Sequence, residues 1–223
     1  MIKSSVVIRT TPLLSIETDH LIFHLPRTED IPQMLEMSTD PSLAENALTQ
    51  VDFTPASMAA MLANLPDPPT PQLTFFGLYL RKDPARLFGV STLGRLPGDT
   101  RSRLSLWIRP CHRRQRPFGD IIPAMLEFAF RYLRLKEVEA NSFAHQPMSP
   151  RVLHRYGFKD HGERMGYAPA TGVTAPLLVM RMSRAAWFGT HRQHCVRLQP
   201  VPANRPLPAM QQQHAQRHRP SLV

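Results

Sequence analysis

A strand, a basic turn and a long apolar helix follow one another without a gap from Trp107 to Leu133, and no other stretch of the chain narrows the choice of fold so far. The run reads Trp107-Ile108-Arg109-Pro110-Cys111-His112-Arg113-Arg114-Gln115-Arg116-Pro117-Phe118-Gly119-Asp120 and continues from Ile121 to Leu133. Ile122, Met125, Leu126, Ala129 and Leu133 share one helical stripe, with Pro123 in the first turn of a helix that starts near Ile121. A turn between a strand end and a helix start is an anion site, because free backbone N–H groups and the helix dipole both favour a phosphate. A phosphorylated ligand is expected there.

The flanking segments alternate between strand and helix patterns. Leu21-Ile22-Phe23 reads as a short strand, and Thr28-Glu29-Asp30 caps a helix carrying Ile31, Met34, Leu35 and Met37. A second helix is expected over Pro55 to Leu65, stopped by Pro66-Asp67-Pro68-Pro69. Leu73 to Leu80, Leu87 to Leu93 and Arg103 to Ile108 form an antiparallel meander, turning at Lys82-Asp83-Pro84 and Pro97-Gly98-Asp99. Beyond the long helix come a strand at Glu137 to Phe143 and a short helix from Ser149 to Tyr156 that ends at Gly157. Strands near Phe158 to Tyr167 and Leu177 to Met182 close the series. Strands before and after a central helix, joined in one sheet, make an α+β (mixed α/β) domain.

With 223 residues, 42% of them hydrophobic, the chain can bury one full core. We divide it into an N-terminal extension (1–16), one domain (17–183) and a basic tail (184–223). The tail holds no acidic residue, alternates Pro200, Pro202, Pro206 and Pro208 with Gln and basic residues, and reads as disordered. Its arginines could touch nucleic acid, although a solubilising tail is the preferred reading. The net charge of +10 favours anionic partners. Two cysteines, Cys111 and Cys195, exclude a disulfide framework, and no apolar run is long enough to span a membrane. Met1 to Leu14 lacks a signal-peptide pattern, so a cytoplasmic setting is expected. The histidines lack zinc-type spacing, including His191, His194 and the scattered His112, His145, His154 and His161. No metal site is expected.

Four segments carry a resemblance: Thr18-Asp19-His20-Leu21-Ile22, Phe88-Gly89, Trp107-Ile108-Arg109-Pro110 and Tyr156-Gly157-Phe158-Lys159. In their order the chain resembles the GNAT superfamily of acetyltransferases over about Glu17 to Met182, and within it the branch containing ribosomal-protein N-terminal acetyltransferases. The resemblance implies a three-layer fold with a mostly antiparallel sheet of six to seven strands flanked by about four helices. It further implies acetyl-CoA as co-substrate and direct acetyl transfer to a primary amine, either a protein N-terminus or a small molecule. Trp107, Ile108, Arg113, Arg114, Gln115, Arg116, Phe118, Gly119, Asp120 and Gln146 are the implied cofactor-binding residues. In the family, glycine or another small residue stands where this chain has Arg116 and Phe118. Glycine there lets the backbone approach a phosphate closely, whereas Arg113, Arg114 and Arg116 offer charge-assisted contacts instead.

The family's Asn-x-x-Ser pattern maps onto Gln146 and Ser149, which makes Ser149 the implied proton donor to the departing thiolate. Ser149 equally suits the N-cap of its helix. A tyrosine used by many relatives four residues before the glycine is Leu153 here, and Tyr156 reads as a core ring. An acidic residue common in the strand before Trp107 is replaced by Arg103, which leaves Glu163 as the candidate general base, with a solvent-facing strand position as its other reading. The acceptor is set by loops near Asn46 to Pro71 and Ala168 to Pro176. An alternative function is that of a non-catalytic GNAT-fold protein with a degenerate CoA site, binding RNA or an acidic partner through its basic face and tail.

Overall fold

The computed structural model describes residues 6–9, 14–45, 48, 52–95, 101–112, 118–146, 148–190 and 196–199. Among them run ten strands: β1 (Val6–Arg9), β2 (Ser15–Glu17), β3 (Leu21–His24), β4 (Leu73–Leu80), β5 (Asp83–Arg95), β6 (Ser102–Ile108), β7 (Glu137–Phe143), β8 (Lys159–Ala168), β9 (Val173–Ser183) and β10 (Val196–Gln199). The helices are α1 (Ile31–Ser38), α2 (Pro41–Ala44), α3 (Pro55–Ala63), α4 (Phe118–Glu127), α5 (Met148–Arg155) and α6 (Arg184–Thr190). All ten strands join one sheet in the order β10-β1-β2-β3-β4-β5-β6-β7-β9-β8. Neighbours are antiparallel except at β1–β10 and β6–β7.

The α+β class and the meander stand as expected, but the sheet exceeds six to seven strands. Both segments set outside the domain supply the excess. β1 and β2 are three or four residues long, too short to show a period, yet Val6, Ile8 and Ile16 are fully buried near one edge of the sheet. At the other end the tail contributes β10, which pairs in parallel with β1, and α6, whose Trp187 is fully buried in the main core. The divisions at 16/17 and 183/184 therefore cut through the sheet and its core. The rest of the tail lies outside the described residues.

One face of the sheet carries α4 and α6. Ile121, Ile122, Met125, Leu126, Phe128, Ala129 and Phe130 pack there with Leu104, Val138, Met180 and Met182. α1 and α3 cover the other face, where Ile31, Met34, Met37 and Met58 meet Tyr79 and Val90. Thr28–Asp30 forms a turn of 3-10 helix leading into α1. Asp30 faces inward, accepting from the Tyr79 hydroxyl at 2.6 Å and the Arg27 N–H at 2.7 Å. α3 starts as its sequence suggests, with Pro55 at the first position and a Thr54–Ser57 capping box.

α4 begins at Phe118, three residues before the expected start, so Pro123 lies inside the helix and not in its first turn. A proline at this position cannot donate to the carbonyl four residues back, and its ring pushes that carbonyl outward. The carbonyl belongs to Gly119, and it accepts instead from the Tyr156 hydroxyl at 2.8 Å. Tyr156 thus replaces the hydrogen bond that Pro123 forfeits, and ties the end of α5 to the start of α4. α4 then loosens into a π-helical turn at Phe128–Tyr132, where the Leu133 N–H reaches the Phe128 carbonyl at 3.0 Å.

Candidate active site

Parallel neighbours need a crossover, and among the described residues the central strands have one, the connection from β6 through α4 to β7. β6 and β7 bond over three rungs: Ser102 with Val138, Arg103 with Glu139, and Leu104 with Ala140. Beyond Leu104 and Ala140 the two strands part. Ser105–Ile108 and Asn141–Phe143 continue without one another, each still bonded to its outer neighbour β5 or β9. A wedge therefore opens at the C-terminal ends of two parallel strands, where open α/β sheets place their ligands. The basic turn and the first turn of α4 follow directly from the β6 side, and α5 from the β7 side.

Each strand sends alternate side chains to each face. Trp107 points toward α1 and α3 and packs with Leu43 and Phe53, while Ile108 is buried in the main core. Gly89, paired with Ile108, cannot carry a side chain, since a Cβ there would lie 2.3 Å from the Trp107 carbonyl oxygen. Arg109 leaves the strand end inward and donates to the Gln33 carbonyl and the Glu36 carboxylate, each at 3.0 Å, which holds the Glu36 carboxyl below its usual range. His112 stacks on Phe88 with ring centroids 4.7 Å apart.

Arg113, Arg114, Gln115 and Arg116 lie outside the described residues, as does the side chain of Phe118. Gly119 and Asp120 form the first turn of α4. Asp120 is buried, with its carboxylate 2.9 Å from His20 Nδ1 in the β2–β3 turn. An acid in the first helical turn complements the dipole. Gln146, half-buried, donates its backbone N–H to the Phe143 carbonyl at 2.9 Å and so turns the chain from β7 into α5. Ser149 is the second residue of α5, which places its backbone beside the wedge, while its side chain is outside the description. The structure does not bring Glu163 to this place. It stands exposed on edge strand β8 across from Leu178, two strand spacings or about 10 Å from β7.

Two features of the wedge escaped the sequence. The first is Asn141, on the first unpaired rung of β7, whose side-chain nitrogen and oxygen are both buried without a hydrogen-bond partner among the described residues. Buried amides are otherwise almost always satisfied, so this one points to a ligand. The second is an ion cluster on the same face. The Glu139 carboxylate is fully buried and accepts from Arg164 at 3.1 Å and Arg181 at 3.3 Å, with Arg101 at 3.7 Å. Arg103, across the rung from Glu139, has a buried Nε without a partner. Burial, and then the like charge of Arg164, lower its pKa. The resemblance drew attention to Arg103 as a replaced acid, but its neighbours in the cluster come from strands 36 or more residues away.

Loops from both expected acceptor regions meet above the wedge. Leu48, between α2 and α3, packs with Phe143, Leu177 and Ala168, and Ala168 opens the β8–β9 turn. No group of three or more His, Cys, Asp or Glu among the described residues could hold a metal ion. No described helix is long and apolar enough to cross a membrane.

A sheet split at its central parallel pair, with a helix start at the split and loops roofing it, defines an acetyltransferase scaffold. Solved structures share it. A spermidine N-acetyltransferase from Vibrio cholerae, in complex with CoA and spermine, is 12% identical with a TM-score of 0.64, covering 75% of this chain and 98% of that one. A ribosomal-protein-S5-alanine acetyltransferase from Vibrio fischeri is 16% identical with a TM-score of 0.63, covering 78% and 98%. A GCN5-related N-acetyltransferase from Brucella melitensis is 14% identical with a TM-score of 0.62, covering 81% and 83%. Comparison with curated proteins finds no match. The model of the acetyltransferase (GNAT) domain matches residues 20–159, more than half of the chain, which therefore belongs to that family.

Proposed function

We propose that this protein is an acetyl-CoA-dependent N-acetyltransferase that transfers the acetyl group directly to a primary amine. The wedge beyond Leu104 and Ala140 is the single observation that carries this reading, because it opens beside a basic turn and a helix start. Acetyl-CoA would supply the acyl thioester, whose carbonyl carbon the amine attacks with loss of the thiol. Its slender chain fits between strand edges that have lost each other as partners, and the Asn141 amide offers a donor and an acceptor there. Arg113, Arg114, Gln115 and Arg116 would meet the phosphates together with the α4 backbone at Phe118, Gly119 and Asp120. Trp107 and Ile108 would line the strand side, and Gln146 the helix side.

Ser149 would give its proton to the departing thiolate from the start of α5. Glu163 would act as base only through intervening water, from across β9. An acceptor amine already neutral needs no such help.

A thermal-shift titration of the full chain with acetyl-CoA tests the reading. A ligand bound only by the native state raises its unfolding temperature in a saturable way. A variant with Arg116→Gly and Phe118→Ala runs beside it. Saturable stabilisation of the natural chain supports the proposal. Stabilisation of the variant alone would show that the natural turn has lost its grip on the diphosphate. Salt-sensitive RNA binding without any response to acetyl-CoA would favour the non-catalytic alternative.

A further inference from the structure

The acceptor side of the wedge carries more positive charge than its own fold consumes. Glu139 sits at the closed end of the wedge, on the face toward α3, and receives three arginines. Arg101 and Arg181 also lie 3.9 Å from Glu137. Arg103 adds a fourth guanidinium, with no ion pair among the described residues and its Nε buried and unmatched. Four guanidinium groups thus face two carboxylates, and one of the four remains unmatched. A guanidinium does not lose its proton at physiological pH, so this charge waits for an anion.

The position is as informative as the charge. Arg103 stands on the last but one paired rung, and Asn141 on the first open rung of the neighbouring strand, both directed to the same face. Two residues along a strand span about 7 Å. From its place on β8, Arg164 extends over Val179 toward Glu139 and so forms the far wall. The roof is the meeting of Leu48 with the β8–β9 turn. An acceptor seated with its amine over the open rungs would bring a group that points toward the closed end, within about 7 Å of that amine, into reach of Arg103 and Arg164.

We infer that this pocket selects an acceptor with a carboxylate close to the amine, such as a polypeptide whose first residue is acidic, and that Arg103 is its specificity-determining residue. The assignment rests on the acetyltransfer reading for the word acceptor, but the anion site itself is a property of the cluster. A polyamine is disfavoured by the same charges. The Vibrio cholerae neighbour holds spermine, so the shared fold does not carry a shared acceptor.

Calorimetric titration of the full chain, with and without saturating CoA, tests this. Three probes suffice: C-terminally amidated Asp-Ala-Ala, its Asn-Ala-Ala isostere, and spermidine. The aspartyl peptide is expected to bind at least tenfold more tightly than the asparaginyl one, with no measurable heat from spermidine. In Arg103→Gln that preference should fall to near unity while acetyl-CoA affinity stays unchanged, and Arg103→Lys should restore part of it. Asn141→Asp serves as a second variant, weakening the acidic peptide more than the neutral one. Equal binding of the two peptides, or a preference that survives Arg103→Gln, overturns the inference. Discrimination between the peptides without any CoA binding would sink the acetyltransfer reading and leave the anion site standing.

Discussion

Tyr156, Gly119 and Pro123 show how one hydroxyl can mend a helix. A neutral buried hydrogen bond contributes about 1 kcal/mol, and a stranded carbonyl costs more. Tyr156→Phe is therefore expected to destabilise the fold by about 1–2 kcal/mol in urea unfolding. In a Pro123→Ala background the new N–H can serve Gly119, and the cost of losing the hydroxyl should shrink toward zero. A double-mutant cycle without coupling would refute the account. Gly89 makes a sharper case: Gly89→Ala drives a methyl into the Trp107 carbonyl, and overpacking of that kind costs about 1–3 kcal/mol. The same push shifts the β6 edge of the wedge, so acetyl-CoA affinity should fall along with the denaturation midpoint. At this scale the sequence was readable where a residue acts on its neighbours, as where Pro66 to Pro69 close off α3. It was silent where a residue acts across space. Tyr156 packs its ring on the main core as expected, but nothing in its own segment shows that Pro123 has orphaned a carbonyl 37 residues earlier.

Among the elements, α6 is the one that composition concealed. It belongs to a stretch without acids and with many prolines, yet its Trp187 donates from the indole to the fully buried Glu127 at 2.9 Å, while Arg131 donates to the other oxygen at 2.6 Å. A buried carboxylate that loses a donor pays for its missing solvation. Trp187→Phe keeps an aromatic ring but removes the N–H and part of the buried volume, and should cost at least the roughly 1.5–3 kcal/mol of a hydrogen bond to a charged group, with a cavity contribution added. Adding Glu127→Gln to that variant should recover part of the loss, as measured by chemical denaturation. The long, strongly patterned elements (β4, β6, β7, α1, α3, α5 and the β8–β9 pair) matched expectation within a few residues. The short strands β1, β2 and β10 did not appear, because three or four residues offer no period to read, and only the sheet beside them gives them order.

On the scale of the whole molecule, pH is a probe of packing. His24 stacks on Tyr79 with centroids 4.0 Å apart, and burial pushes its pKa down to about 4, against the opposing pull of the Leu25 carbonyl. A base with a depressed folded pKa is neutral in the native state while the unfolded chain takes up a proton. Its contribution is fully present above pH 6.5 and is lost as pH falls from 6.5 toward 4. Unfolding free energy should drop over that window by up to about 1.4 kcal/mol per pH unit from this group. Replacing His24 with Gln should flatten the slope between pH 6.5 and 4.5, and an unchanged slope would exonerate the residue. Of the candidate site, the sequence drew attention to the turn and helix start that follow β6, and the resemblance drew attention to Arg103, where relatives carry an acid. Its companions Glu139, Arg164 and Asn141 stayed hidden, since only the crossing of β6 over to β7 makes them neighbours.

That crossing has a mechanical side. Among the described residues, three backbone rungs join β7, β9 and β8 to the rest of the sheet, with α4 bridging them, so the two parts resemble a door and its frame on a short hinge. Whatever occupies the gap acts as a wedge-shaped shim, lending the frame the stiffness that absent rungs would have given. Amide protons of β7 and β9 should then exchange more slowly once acetyl-CoA is added, while those of β3 and β4 keep their pace.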